Sequence, residues 1–278
     1  MRDRPQGRGH AGIRTRVALA SLAVLMLTAA AVFPARGNAQ DYTPPRNEWG
    51  QPDLQGIWQV LDTSAHYDIE PHNASYGVPA GTGIITDPPD GRIPYNANGL
   101  AKRTENLANR ATLDPIARCY KPGTPHIMYL PFPLQILQSE NVTTINSEYV
   151  HNTRFIYLHR TDHYGEGDLD LWNGDSVGGY EGNALVTDVY NFHPDVWLDR
   201  AGNHAGGWTL GVEERFELVD ADTLRYQATL EDPEDFTRPW TIEVLLYRHK
   251  DPDKRILEYE CHAYADNALG PPELPVVP

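Results

Sequence analysis

Two hydrophobic periods run along this chain. From residue 129 onward, apolar and polar positions alternate in short runs, as half-buried strands do. The alternation predicts strands over 141–149 and 154–159 around a turn at Val150-His151-Asn152, and over 185–190 behind a Glu181-Gly182-Asn183 turn. It predicts two more over 212–219 and 223–231 around Asp220-Ala221-Asp222, then 240–248 and 256–262. Strands this closely spaced, with hardly any helix between them, predict an antiparallel meander, and closing the meander into a barrel removes its edges. The expected fold class is all-β, with the meander or barrel over 126–262.

Upstream, the period changes. Residues 40–125 are rich in Pro and Gly and hold one clear strand, Leu54–Val60. A helix is predicted over 98–110, capped by Asn98, with Leu100, Thr104, Leu107, Ala108 and Ala111 near helical spacing and Asp114-Pro115 as its stop. The rest of this stretch reads as an irregular N-terminal clamp with one short helix. Residues 263–278 read as an extended, Pro-rich tail. The first 39 residues follow a third pattern: an Arg-rich start, an apolar run from Val17 to Phe33, and the small residues Gly37-Asn38-Ala39. That is the layout of a cleaved secretory signal peptide; an uncleaved anchor is the alternative.

A leader implies a periplasmic or extracellular setting, which excludes chemistry that depends on cytosolic nicotinamide or ATP pools. No cofactor or metal is expected. Removing the leader's six arginines and one aspartate takes the formal charge from −15 to −20 over 239 remaining residues. Such a field repels phosphate backbones and anionic lipid heads, so the expected partner is a small molecule, with neither nucleic acid nor stable membrane insertion. The two cysteines, Cys119 and Cys261, are most simply a disulfide in an oxidising compartment. Two buried thiols are the alternative.

Gly56-Ile57-Trp58 on the first strand resembles the Gly-x-Trp start of lipocalins and related calycin barrels. A wider set resembles a broad group of secreted bacterial proteins of unassigned activity: Trp172-Asn173-Gly174-Asp175-Ser176 with Glu181-Gly182-Asn183, Trp197-Leu198-Asp199-Arg200, Glu214-Arg215-Phe216, and Asp232-Pro233 with Thr237-Arg238-Pro239-Trp240. The resemblance spans about residues 50–262. It implies a lipocalin-like barrel in a bacterial envelope and carries no catalytic residue across.

Three constellations can carry chemistry. In the first, Glu148 and Arg154 lie symmetrically about His151, so a tight hairpin puts them on one face. They form either an acid–base group, with Tyr149 close by, or an ordinary cross-strand ion pair. In the second, Asp188 sits inside an apolar strand, with Asn191, Asp199 and His204 as potential partners. It either faces the barrel interior or is exposed on the outer face. In the third, Glu214 points with the apolar set of its strand, near Tyr226 in sequence. It is either bridged to an arginine or part of a polar cavity floor.

Gly174-Asp175-Ser176 looks like a hydrolase signature but lies among strands, so a turn is expected there. His159 and His163 have a zinc-like spacing, and Asp162, Glu166, Asp168 and Asp170 an acidic one, but both fall in a loop. Trp172, Tyr180, Trp197, Trp208 and Trp240 lie near strand ends, where they either line a ligand mouth or pack the core.

The reading that follows is a secreted, cofactor-independent enzyme, an isomerase, cyclase, lyase or hydrolase. It would act on a small, largely apolar molecule by proton transfer at His151 with Glu148 and Arg154. The alternative is a periplasmic lipocalin-like carrier of a small hydrophobic ligand.

Overall fold

The computed structural model describes residues 42–165 and 169–263. The expected leader, the Glu166 and Asp168 positions of the acidic loop, and all but the first residue of the expected tail lie outside them.

Nine strands close into a barrel: β1 (Gly56–Val60), β3 (Leu134–Gln138), β4 (Val142–Ser147), β5 (Thr153–Tyr157), β6 (Asp175–Glu181), β7 (Ala184–Tyr190), β8 (Gly211–Leu218), β9 (Thr223–Glu231) and β10 (Trp240–Arg248). Closure depends on β1, which pairs with β3 on one side and with the end of β10 on the other. The short β2 (Ile85–Asp87) takes the first half of the same β10 edge. Neighbours are antiparallel except β5 and β6, which run parallel and share two residue pairs, Ile156↔Ser176 and Tyr157↔Val177. The longest ladders, β8–β9 and β9–β10, pair eight residues each.

Alternation decides what enters the barrel. Along β8, Val212, Glu214, Phe216 and Leu218 point in; along β9, Leu224, Tyr226, Ala228 and Leu230 do. With Trp58, Trp240 and Ile242 also fully buried, side chains fill the interior, as a barrel of about this strand number allows.

One end of the barrel is closed by a cap. It comprises residues 61–132, which link β1 to β3, and the loops 191–210 and 232–239. Its helices are α1 (Ala97–Ala108) and α2 (Arg110–Leu113). Asn96, two residues before the expected cap, closes the α1 N-terminus by accepting the Asn98 and Gly99 N–H groups. The stripe read as the helix's apolar face points outward, with Leu100 52% and Leu107 47% exposed. The inner face is instead Gly99, where a Cβ would lie 2.5 Å from the Asp235 carbonyl oxygen, and Asn106, which donates to the Gly202 carbonyl. A helix docking on loop backbone needs a small residue and a hydrogen-bonding one more than it needs leucine.

After β10 the chain does not form the expected 256–262 strand. It runs back along the barrel as a strap, bridging to Tyr149 at Tyr259 and fixed by the Cys119–Cys261 disulfide.

Candidate functional site

The β4–β5 hairpin turns through Val150 and His151, both with positive φ (45° and 39°). This sets the register at Ile145↔Arg154, so Glu148 is three positions away from being Arg154's partner. A slip by an odd number of residues moves a side chain to the other face of a strand. Arg154 therefore enters the barrel and the expected Glu148–His151–Arg154 group is not assembled. Glu148 accepts the Leu257 N–H at 3.0 Å, and His151 faces Glu260 at 3.0 Å with both side chains about half exposed. Tyr149 is buried against Phe132 and Tyr259, and burial pushes its phenol well above the ordinary value. The hairpin tip is the dock for the strap.

Inside the barrel, Arg154 meets Glu214, the bridged form of the third constellation. Both guanidinium Nη atoms donate to the two carboxylate oxygens. Thr187 Oγ1 donates to Glu214 at 2.8 Å and Tyr226 OH at 2.7 Å, while Arg154 Nε donates to Ser176 Oγ at 3.0 Å. Burial would lower the Arg154 pKa, but the Glu214 charge and its hydrogen bonds together outweigh it and hold the guanidinium above its ordinary range. Burial, then the Glu214 charge, pushes Tyr226 up, so its phenol keeps its proton and donates a hydrogen bond to the carboxylate.

This pair lies beside the barrel's shortest ladder. Where β5 and β6 diverge, a cleft of about 270 Å³ opens. Phe155, Tyr157, Tyr164 and Trp172 form its walls, Lys121 reaches its rim, and the buried Arg154, Ser176 and Asn173 lie at its base. Trp172 is stacked between Tyr120 and His193 (ring centroids at 5.3 and 4.4 Å), so an edge of its indole remains for the cleft. Phe155 and Tyr164 are about half exposed and supply open ring surface. Gly174 shapes the entrance to β6: its φ is +67°, and a Cβ there would come 2.4 Å from Val189.

Asp175 and Ser176 both line the cleft at the start of β6, and the expected turn ends at Gly174, whose N–H bonds the Leu171 carbonyl. Asp175 takes both ends of Arg160 (3.0 and 3.1 Å) and the Tyr164 N–H (3.1 Å). His163 Nδ1 lies 3.3 Å from it, near but off hydrogen-bond alignment. His159 instead turns to the Asn141 carbonyl, so the zinc-like spacing has no shared focus.

The remaining expected residues fall elsewhere. Asp188 is exposed on the outer face of β7, opposite Glu213. His204 is buried in the cap with Nδ1 3.2 Å from Asp235 and Nε2 3.2 Å from the Gly99 carbonyl, so its carboxylate partner is Asp235 rather than Asp188. Burial would raise the Asp235 carboxyl, but His204, Lys102 and Asn98 together outweigh it and hold the group below the usual range. Tyr180 sits at the uncapped end, accepting from Gln138 Nε2 at 2.6 Å. Trp197 is buried in the cap and its carbonyl accepts from His126.

Two groups carried no readable sequence signal. One is the outer wall of the cleft, Phe155 and Tyr164, brought together by a parallel crossing that alternation does not reveal. The other is the pair of buried cap histidines, His66 and His126, 3.1 Å apart through Nδ1 and Nε2. The Trp197 carbonyl fixes the proton of His126 on Nδ1, so His66 Nδ1 donates to His126 Nε2. Burial, then Arg200, lowers His66 to about 4, and burial takes His126 well below its ordinary value. Asp199 is fully buried beside them. It accepts four N–H groups, yet burial and then Asp68 push its carboxyl up to about 8.

No protein-family model matches this chain, and no curated protein sequence does. Among solved structures, a secretory abundant heat soluble protein from Ramazzottius varieornatus is similar over 73% of this chain and 100% of that one, at 11% identity and a TM-score of 0.32. At that level the likeness carries no inference about function.

Proposed function

We propose that this protein binds a small, largely apolar ring compound in the cleft between β5 and β6 and carries it outside the cytoplasm. The observation behind this reading is the make-up of the cleft: open aromatic walls above a buried guanidinium. The Arg154–Glu214 pair is neutral as a unit, so it has no call for an anion. Three of the five guanidinium N–H donors are spent on Glu214 and Ser176. The others, with the Ser176 hydroxyl proton, suit a neutral acceptor such as a ketone or lactone carbonyl, while Phe155 and Tyr164 suit its rings. The disulfide supports an oxidising compartment, as the leader does.

The test is retention. The full chain is incubated with pooled neutral terpenoid-, steroid- and polyketide-type compounds, freed of unbound material and analysed by mass spectrometry. A carrier retains a compound unchanged, and Phe155→Ala weakens retention about fivefold to tenfold through lost ring contact. Nothing retained, or equal retention by the variant, overturns the reading.

A second reading rests on His163, which Asp175 flanks at the cleft's edge. An imidazole held beside a carboxylate can act as a general base, which keeps an acid–base enzyme in play. Conversion of a retained compound by the native chain and its loss in His163→Ala would establish that reading over the carrier.

A further inference from the structure

A second cleft, of about 440 Å³, lies in the cap between α1, α2, the 199–201 loop and a small hairpin over 72–81. Three arginines from three separate segments meet there: Arg103, Arg110 and Arg200. In a chain with a formal charge of −15, such convergence runs against the overall field.

Two of the three arginines are held from behind. Arg200 Nε donates to Asp114 at 3.1 Å and Arg103 Nη2 lies 3.5 Å from Glu70. Both carboxylates are almost wholly buried, at 1% and 4% side-chain exposure, and each also accepts backbone N–H groups. The acids therefore sit on the inner side and fix the guanidinium groups, while 41% of Arg200 and 26% of Arg103 side-chain surface stays open. Arg103 Nε is buried with no hydrogen-bond partner, and Arg110 makes no side-chain hydrogen bond or ion pair among the described residues. Asp68 also lines the cleft. It sets one carboxyl against three guanidinium groups, and its Oδ1 is turned to the Glu70 N–H at 3.0 Å and to Asn203 Nδ2 at 3.3 Å.

Two phenols complete the lining. Tyr67 stands against the edge of His66, and Tyr76 projects fully exposed from the hairpin tip, where the turn is closed by paired Ser75 and Val78 backbone bonds. A fully exposed aromatic ring has its apolar surface in water and gains by covering a planar ligand. Planar guanidinium forks match the two oxygens of a carboxylate or a phosphate.

We propose that this cap cleft is a second binding site, selective for a small aromatic oxyanion, with the anion on Arg110 and Arg200 and the ring between Tyr67 and Tyr76. It differs in chemistry from the cleft between β5 and β6 and does not depend on that one being occupied.

The test is calorimetric titration of the full chain with benzoate, phenyl phosphate, inorganic phosphate and benzyl alcohol, repeated on Arg110→Gln and Arg200→Gln. Benzoate and phenyl phosphate are expected to bind, each variant to weaken them about tenfold, and benzyl alcohol to bind far more weakly. Arg110 is exposed and unpartnered, so Arg110→Gln keeps the native circular dichroism and its loss reads on binding alone. A preference for benzoate over phenyl phosphate, or the reverse, identifies the oxyanion. Inorganic phosphate binding as tightly as phenyl phosphate would remove the ring from the site. Benzyl alcohol binding as well as benzoate would remove the anion. Unchanged affinity in both variants, or no binding by any of the four, overturns the proposal.

Discussion

The barrel wall and the cap bury charge in opposite ways. In the wall, one arginine and one glutamate face each other with every carboxylate lone pair engaged, Thr187 and Tyr226 taking the two that Arg154 leaves. In the cap, Glu70, Asp199, Asp235, His66, His126 and His204 are spread through loop backbone, and Glu70, Asp199, His126 and His204 each bond a backbone N–H or C=O group. The wall gets its backbone bonds from ladders, and its fully buried ion pair is satisfied by side chains alone. The cap has little ladder, so buried polar side chains do the work of satisfying its backbone. Both clefts follow from this division. One opens where the ladder is shortest, and the other where the cap presents three arginines, two of them held from behind by its buried acids.

The largest effect should come from breaking the wall's fully buried pair. Glu214→Ala leaves the Arg154 guanidinium buried and unpaired, at a cost of about 3–5 kcal/mol. Arg154→Met with Glu214→Leu removes both charges and should recover most of that, because replacing a buried pair with apolar residues of similar size is commonly neutral or better. Urea unfolding of the two variants measures the difference. A double variant as unstable as Glu214→Ala would mean that the pair stabilises through more than mutual compensation.

A smaller effect, confined to the cap, should follow from pH. His66 titrates at about 4 in the folded chain against 6.5 when free, so the unfolded chain binds the extra proton between those values. Stability from His66 is full above pH 6.5 and is lost as pH falls toward 4, by up to about 3 kcal/mol at about 1.4 kcal/mol for each pH unit. Asp199 has the opposite sign. Its carboxyl, raised from 3.8 to about 8, keeps a proton that the unfolded chain releases, so its contribution is present at low pH and fades as pH rises toward 8. Hydrogen exchange, corrected for intrinsic rates, can separate the regions. The Ile69 and Arg200 amides, bonded to Asp199 and to the His66 carbonyl, should lose protection on the acid side in the native chain and lose less in His66→Gln. Amides in the β8–β9 ladder should change little until global unfolding. Equal loss in both regions would show that cap and wall unfold as one unit.

The wall was largely legible in the sequence. Alternation located β7 through β10 to within a residue or two, and the inward set of β8 correctly included Glu214. The disulfide followed from cysteine count and compartment. What alternation could not supply was register across the β4–β5 turn. The symmetric placement of Glu148 and Arg154 about His151 suggested a pair, but two consecutive positive-φ residues shifted the ladder and sent Arg154 inward to Glu214. The parallel crossing that forms the β5–β6 cleft was hidden for a related reason: residues 158–174 carry no strand period, and the partner of β5 begins eighteen residues beyond its end. The cap was the least readable region. A helix whose leucines face water and whose inner face is Gly99 and Asn106 inverts the usual inference from apolar spacing.

That inversion sets the smallest expected effect. If α1 were held by its leucine stripe, Leu100→Ser would destabilise it. With Leu100 half exposed, the change should cost little, within about 0.5 kcal/mol. Asn96→Ala removes the side chain that accepts the Asn98 and Gly99 N–H groups and should cost about 1 kcal/mol. The cap site should report the same ordering: Arg103 sits in the second turn of α1, so a frayed N-terminus in Asn96→Ala would weaken benzoate binding at the arginine cleft, while Leu100→Ser would leave it unchanged. Thermal unfolding and the benzoate titration, run on both variants, test the two halves separately. A larger loss in Leu100→Ser than in Asn96→Ala would mean that the outward stripe is covered in the protein's working state. The cap would then resemble the wall in being held by apolar burial.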